Sequence, residues 1–77
     1  MNRLVVNGFK PGLRKIQLTR LLQARARLSL PEAKGVVDAV LEGRSAVVEI
    51  PSGLSPVELA GEIAALGAIC EVTSAPD

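Results

Sequence analysis

Residues 29–43 read SLPEAKGVVDAVLEG, and this stretch specifies both ends and one face of a helix. Ser29 with Glu32 three residues later is a capping-box pattern, and the proline between them suits a first helical turn. Gly43 is placed to end the helix in the left-handed conformation. Gly35, inside the helix, costs up to about 1 kcal/mol relative to alanine, so we expect a close helix contact there. The apolar face recurs at i, i+3, i+4, i+7 and i+8: Ala33, Val36, Val37, Val40 and Leu41.

The same signals recur later in the chain and predict another helix. Ser55 is followed by Pro56 and, three residues after the serine, by Glu58, which repeats the cap, the proline and the acidic residue. Gly67 is placed to end this helix. Its apolar face consists of Leu59, Ala60, Ile63, Ala64 and Leu66.

Periodicity predicts a helix before residue 29 as well, from about Arg14 to Ala26. At about 100° per residue, one side carries the core stripe Leu18, Leu21 and Leu22. Arg25 falls on the same side, so we expect its stem to cover the core while its charged head stays in water. The opposite side carries Ile16, Thr19, Arg20, Gln23 and Arg27.

Three short runs rich in β-branched residues predict strands at Leu4–Val6, which an Asn7-Gly8 turn closes, at Ala46–Ile50 and at Ala68–Val72. The order β-α-α-β-α-β predicts an α+β two-layer sandwich, with three helices on one face of a three-stranded sheet in order 2-1-3. The first strand is then antiparallel to both neighbours. We expect one domain over residues 1–77, with a frayed tail at 74–77.

The composition excludes most catalytic chemistry. The 77 residues include no histidine, one cysteine (Cys70) and one aromatic residue (Phe9). Such a chain lacks His-based acid/base pairs, Cys/His nucleophiles, ordinary zinc clusters and an internal disulfide. No apolar run approaches the roughly 20 residues of a membrane span. We therefore predict a cytoplasmic, non-enzymatic protein without metal, cofactor or small-molecule substrate, in which Cys70 is a small buried hydrophobe.

Charge is strongly separated along the chain. Residues 1–34 hold eight basic residues and one acidic residue, a net charge of +7, whereas residues 35–77 hold one basic and seven acidic residues, a net charge of −6. Such asymmetry indicates a basic face for an acidic partner, although the two halves could also attract each other within the fold.

Ile16 is the apolar exception on the basic side of its helix. With Lys15, Arg20 and Arg27 around it, it has the composition of a contact patch in which apolar contact gives affinity and charge gives orientation. Nucleic-acid binding is the alternative, because clustered cations neutralise phosphates. Phe9 is the only base-stacking residue, so the sequence favours a protein partner. The cations of the alternative are Arg14, Lys15, Arg20, Arg25 and Arg27.

Two segments, Lys15-Ile16 and Leu28-Ser29-Leu30-Pro31-Glu32-Ala33-Lys34, resemble the C-terminal domain of the bacterial ribosomal stalk protein, L-seven/L-twelve of the large subunit. In that family a helix beginning Lys-Val or Lys-Ile leads into Gly-Leu-Gly-Leu-Lys-Glu-Ala-Lys. Near the end, LGAICEV at 66–72 is similar to the family's Ala-Gly-Ala-Glu-Val-Glu-Val. The similarity extends from about Leu4 to Val72 and implies the same β-α-α-β-α-β fold.

The resemblance also implies a function in translation, the recruitment of initiation, elongation and release-factor GTPases to the ribosome through the first long helix. Thr19 replaces an apolar residue of the family's contact surface, and Gln23 replaces a basic one. The family's N-terminal dimerisation segment and hinge have no counterpart here, so we expect either a stand-alone paralogue or an excised domain, and Met1 favours the stand-alone protein. The contact positions that match in type are Lys15, Ile16, Arg20 and Lys34.

The ClpS adaptor of the AAA+ protease shares this fold, and Leu4-Val5-Val6-Asn7 looks like the start of its first strand. Gly8-Phe9 replaces the acidic residues that follow in ClpS, and its substrate-binding histidine has no counterpart. An adaptor role of another kind is therefore a third hypothesis.

Overall fold

The computed structural model describes residues 2–74. It confirms the predicted α+β architecture: β1 lies between β2 and β3 and is antiparallel to both, α2 and α3 pack on this sheet, and α1 packs on α2 and α3. The elements are β1 (Asn2–Phe9), α1 (Lys15–Arg25), α2 (Leu30–Leu41), β2 (Ala46–Ile50), α3 (Pro56–Ala65) and β3 (Ala68–Ser74).

The core lies between the covered face of the sheet and the helices. On β1, Leu4 and Val6 are fully buried while Arg3 and Asn7 are exposed, the alternation of a strand with one covered face. Burying each large apolar side chain contributes about 1.5–3 kcal/mol. The largest fully buried side chains are all aliphatic: Leu4, Leu18, Leu22, Leu59, Ile63, Val6, Val40 and Val48.

The predicted Asn7-Gly8 turn is wrong. β1 continues to Phe9, and the register with β3 shifts between Val6, which pairs with Cys70, and Gly8, which pairs with Ile69. Asn7 is the extra residue of this β-bulge, so the chain bends without leaving the sheet. Pairing of Gly8 and Phe9 with β3 keeps this segment in the strand, and the turn follows at residues 11 and 12.

The α2 helix has the predicted ends. Ser29 and Glu32 form a complete capping box, and Gly43 has a positive φ of 81°. Leu41, the last residue of the predicted apolar face, is 37% exposed and therefore lies outside the core. The close contact expected at Gly35 is wrong, because a Cβ atom there would have no atom within 4 Å.

The end of β3 differs from the predicted frayed tail. Ser74 is the last residue of β3 and pairs with Asn2 of β1. The remaining residues of the predicted tail, 75–77, lie outside the described residues.

Candidate protein-binding surface

Ile16 stands in solvent near the start of α1, with 70% of its surface exposed. The helix buries Leu18 and Leu22, which are one turn apart. Because each residue turns a helix by about 100°, Ile16 points about 200° away from Leu18. Lys15 and Arg20 are exposed as well. The predicted placement of Ile16 and Arg20 opposite the core stripe is confirmed.

Packing of α1 against α2 brings Lys34 to the same surface, although nineteen positions separate it from Lys15. Arg20 shares a neighbouring depression with Lys15 and Ile16. We call Lys15, Ile16, Arg20 and Lys34 the basic patch. A shallow depression between the two helices is lined by Lys15, Ile16, Thr19, Lys34, Val37, Asp38 and Leu41.

The cations of the basic patch are not neutralised by ion pairs within residues 2–74. The acidic residue Asp38 lines the depression with them but forms no ion pair there. The positive charge of the patch is therefore available to an acidic partner. The ion pairs of the described residues join Arg3 to Glu49 at 3.9 Å, Arg25 to Glu62 at 3.1 Å, and Arg44 to Glu42.

The first turn of α1 strengthens this positive charge. Its N-cap residue is Arg14, which forms no capping hydrogen bond, and the turn holds no acidic residue. By contrast, Ser29 and Ser55 cap the other two helices, and each of those helices has a glutamate in its first turn. The positive end of the α1 dipole thus lies beside Ile16 without a compensating carboxylate.

Thr19 and Gln23 are both half-buried. The hydroxyl of Thr19 donates to the carbonyl oxygen of Lys15 at 2.9 Å. With its hydroxyl engaged inside the helix, Thr19 offers the depression mainly its methyl group. Gln23 lies one further turn along α1, about 6 Å from Thr19 along the axis, and contributes no charge.

The structure separates Arg27 from the basic patch. Because α1 ends at Arg25, Arg27 no longer follows the helical wheel, and its predicted position beside Ile16 is wrong. Its φ angle is +59°. The nine positions from Ile16 to Arg25 already span about 14 Å along the helix axis, and Arg27 follows that end. It lines a different depression, with Ala24, Arg25, Pro51, Ser52, Gly53 and Leu54.

Arg25 links two helices as well as reaching solvent. Its guanidinium lies 3.1 Å from the carboxylate of Glu62 in α3, and the two side chains are 42% and 41% exposed. The predicted exposure of the charged head is thus confirmed in part, and the ion pair is an addition. Half-exposed pairs of this kind contribute about 0–1 kcal/mol.

Two titratable groups are perturbed. Cys70 is half-buried and its thiol donates to the carbonyl oxygen of Ala60 at 3.5 Å; burial raises its pKa, so it is held as a neutral thiol. The backbone N–H and the hydroxyl of Ser29 lower the pKa of Glu32 by hydrogen bonding. The Cys70 thiol therefore belongs to the packing of the protein, and the Glu32 carboxylate belongs to the capping box of α2.

Residues 2–74 contain no cluster of three or more acidic or cysteine side chains that could hold a metal ion. Over the same range, no helix combines the length and the apolar character needed to cross a membrane.

No family model matches the chain, and no curated protein is significantly similar to it. The resemblance to the ribosomal stalk domain stays a prediction based on the residues quoted above.

Proposed function

We propose that this chain is a non-enzymatic, cytoplasmic protein-binding module that resembles the ribosomal stalk C-terminal domain. It docks an acidic surface of a translational GTPase, or of another ribosome-associated protein, through the basic patch. The observation that carries the proposal is the exposure of Ile16, 70% in water, among cations without ion pairs in residues 2–74. Apolar contact supplies affinity there, and the charges steer and orient the partner.

The partner surface must be small and acidic. One exposed isoleucine beside the partly exposed Leu41 offers limited apolar area, so the complex is expected to be weak and transient. Its positive charges are exposed, and added salt therefore weakens it by screening. Lys34 on α2 and Arg20 on α1 flank the apolar centre and would fix the orientation of the partner.

RNA binding is the second candidate, supported by the same cations, which form no ion pair in the described range 2–74, and by Arg14 next to them. A phosphate backbone makes no use of an exposed isoleucine, and Phe9 is the only aromatic residue available for stacking. The two candidates differ in their dependence on Ile16. A protein partner needs it, whereas a nucleic acid depends on the cations alone and loses affinity steeply with salt.

The test is an amide NMR titration of the labelled chain with a purified elongation-factor GTPase and, separately, with a short single-stranded RNA. Spectra are recorded at about 50 and about 300 mM salt, which spans a marked change in screening length. We expect the GTPase to shift Lys15, Ile16, Arg20 and Lys34, and the shifts to shrink at the higher salt.

Ile16→Asp should abolish these shifts, since it places a like charge against the acidic partner. Val57→Asp is the matched control, because Val57 is 71% exposed on α3 and lines neither of the two depressions that contain the patch residues. Retained binding by Ile16→Asp, or shifts with RNA only, would exclude the proposed function. Co-purification with a AAA+ ATPase through another surface would instead support an adaptor.

A further inference from the structure

We infer that Arg27 and the turn at 51–54 form a second contact site, which binds a carboxylate side chain of the acidic partner. The nature of the partner rests on the proposed function. The site itself rests on the conformation of Arg27 and on the donors around it.

The backbone of Arg27 is in the left-handed conformation, which is strained for a residue with a Cβ atom. Immediately after α1 the chain reverses, and the N–H of Leu28 donates back to the carbonyl oxygen of Leu22 at 3.3 Å. The reversal passes through Arg27 at φ +59°. Glycine normally takes this position at a helix end, because a Cβ atom is strained there. Among the described residues, every other positive φ belongs to a glycine.

No contact within residues 2–74 accounts for an arginine at this position. The side chain is exposed and takes part in no hydrogen bond or ion pair there. Glycine would give the same chain reversal with less strain. A strained residue whose side chain has no structural task points to a role in binding.

The surroundings of Arg27 are rich in hydrogen-bond donors. Its depression is shared with Ser52 and Gly53, in a turn closed by the Leu54 N–H donating to the Pro51 carbonyl oxygen at 3.2 Å. Gly53 has a φ of +89°, the value of the third residue of a type II turn. The N–H groups of Ser52 and Gly53 donate to no backbone acceptor within residues 2–74. An anion in the depression could therefore accept from the guanidinium, the Ser52 hydroxyl and these amides.

The charge of the site favours a carboxylate over a nucleic-acid backbone. Arg25, the other cation of the depression, is already paired with Glu62 at 3.1 Å. The Arg27 guanidinium forms no ion pair within residues 2–74, and its planar fork matches a single carboxylate in a bidentate arrangement. A phosphate backbone would require a row of free cations. Ile16 and the end of α1 lie about 14 Å apart along the helix axis, so two acidic points on one partner would set its orientation.

The experiment titrates the labelled chain with a hexaglutamate peptide and, in parallel, with hexauridylate RNA. We expect hexaglutamate to shift the amides of Ser52 and Gly53 saturably. Arg27→Gly should abolish these shifts, leave those of the basic patch in place, and raise the Tm by a few degrees because the strain is removed. Lys10→Gln, which removes another exposed charge, should leave the Ser52 and Gly53 shifts intact.

Persistence of the Ser52 and Gly53 shifts in Arg27→Gly would overturn the inference, as would shifts at these amides with the RNA but not with the peptide. A GTPase titration separates the two proposals. If the GTPase shifts the basic patch without Ser52 and Gly53, the proposed function stands and this inference fails. If hexaglutamate binds at Arg27 while no GTPase shifts the patch, the carboxylate site stands and the proposed function fails.

Discussion

Ile16 and Leu18 lie two residues apart on α1, yet Ile16 is 70% exposed and Leu18 is fully buried. The helix turns about 200° between them, so Leu18 enters the core and Ile16 stands on the opposite surface. Two aliphatic residues of similar size therefore have different tasks. Stability depends on one of them, and partner binding is proposed for the other.

Alanine substitution should separate these tasks. Leu18→Ala removes a fully buried side chain and is expected to lower the free energy of unfolding by about 3 kcal/mol. Ile16→Ala should change it by less than about 0.5 kcal/mol, because its side chain is mostly in water already. Urea unfolding of both variants measures the difference. Comparable losses in the two proteins would show that Ile16 contributes to packing after all.

The cap of α2 should contribute measurably to stability. The Oγ atom of Ser29 accepts a hydrogen bond from the Glu32 N–H at 3.2 Å. This N–H lies in the first turn of α2 and has no acceptor within the helix. Ser29→Ala is expected to reduce the free energy of unfolding by about 1 kcal/mol. Ser45→Ala, at an exposed position outside helix and strand, is the control and should be neutral. A neutral effect at both serines would contradict the capping role.

The fall in the free energy of unfolding at acidic pH should depend on Glu32. Its carboxylate accepts the Ser29 N–H at 2.9 Å, and this bond holds its pKa below the ordinary value of 4.5. The stabilisation is therefore complete above pH 4.5 and is lost as the pH falls through the lower pKa of the folded state. Glu32→Gln should lose less stability than the unmodified chain between about pH 6 and about pH 3, measured by urea unfolding. An equal loss in both proteins would rule out this contribution.

Gly35 is a site where the helix can be strengthened. A Cβ atom there meets nothing within 4 Å, and the position is exposed inside α2. Gly35→Ala should raise the free energy of unfolding by up to about 1 kcal/mol, because alanine favours the helix and restricts the unfolded chain. Thermal unfolding measures the gain. The matching change at Gly12 should instead destabilise, since its φ is +89°.

If the proposed function holds, introducing the residue types that the stalk family has at positions 19 and 23 should increase affinity for a translational GTPase. Thr19→Ile adds apolar surface to the depression beside Ile16, and Gln23→Lys adds a cation one turn further. We expect the double variant to bind at least about fivefold more tightly at low salt, or roughly 1 kcal/mol. Isothermal titration of the GTPase with the double variant and, separately, with the unmodified chain measures the difference in affinity. Unchanged affinity would mean that the partner does not use this helix as the stalk family does.

The fold was largely predictable because its signals are local and agree with one another. The Ser29 and Ser55 caps, the glycine ends and the bounds of β2 were all readable from short segments. The errors arose where distant residues decided the outcome. Pairing of β1 with β3 turned Asn7-Gly8 into a bulge, and open space around Gly35 replaced the expected contact.

For the candidate site, the helical period was enough to place Ile16 and Arg20 away from the core, because the apolar stripe of α1 determines which side faces solvent. The approach of Lys34 needed the packing of α2 on α1, and the ion pair between Arg25 and Glu62 needed α3 beside them. The separation of Arg27 needed the point at which α1 ends. The periodicity places that end near Ala26, one residue beyond the observed end at Arg25, so the error lay in extending the helical wheel to Arg27, where the chain has left the helix.

The sequence by itself determined the order of elements, the aliphatic core and the polarity of each helix face, because each depends on neighbours within one or two turns or on alternation along a strand. Only the tertiary structure decided which surface residues meet. Contacts between residues far apart in the chain depend on helix packing and strand register. Both are stabilised by the contacts of the whole core together, so no single segment determines them.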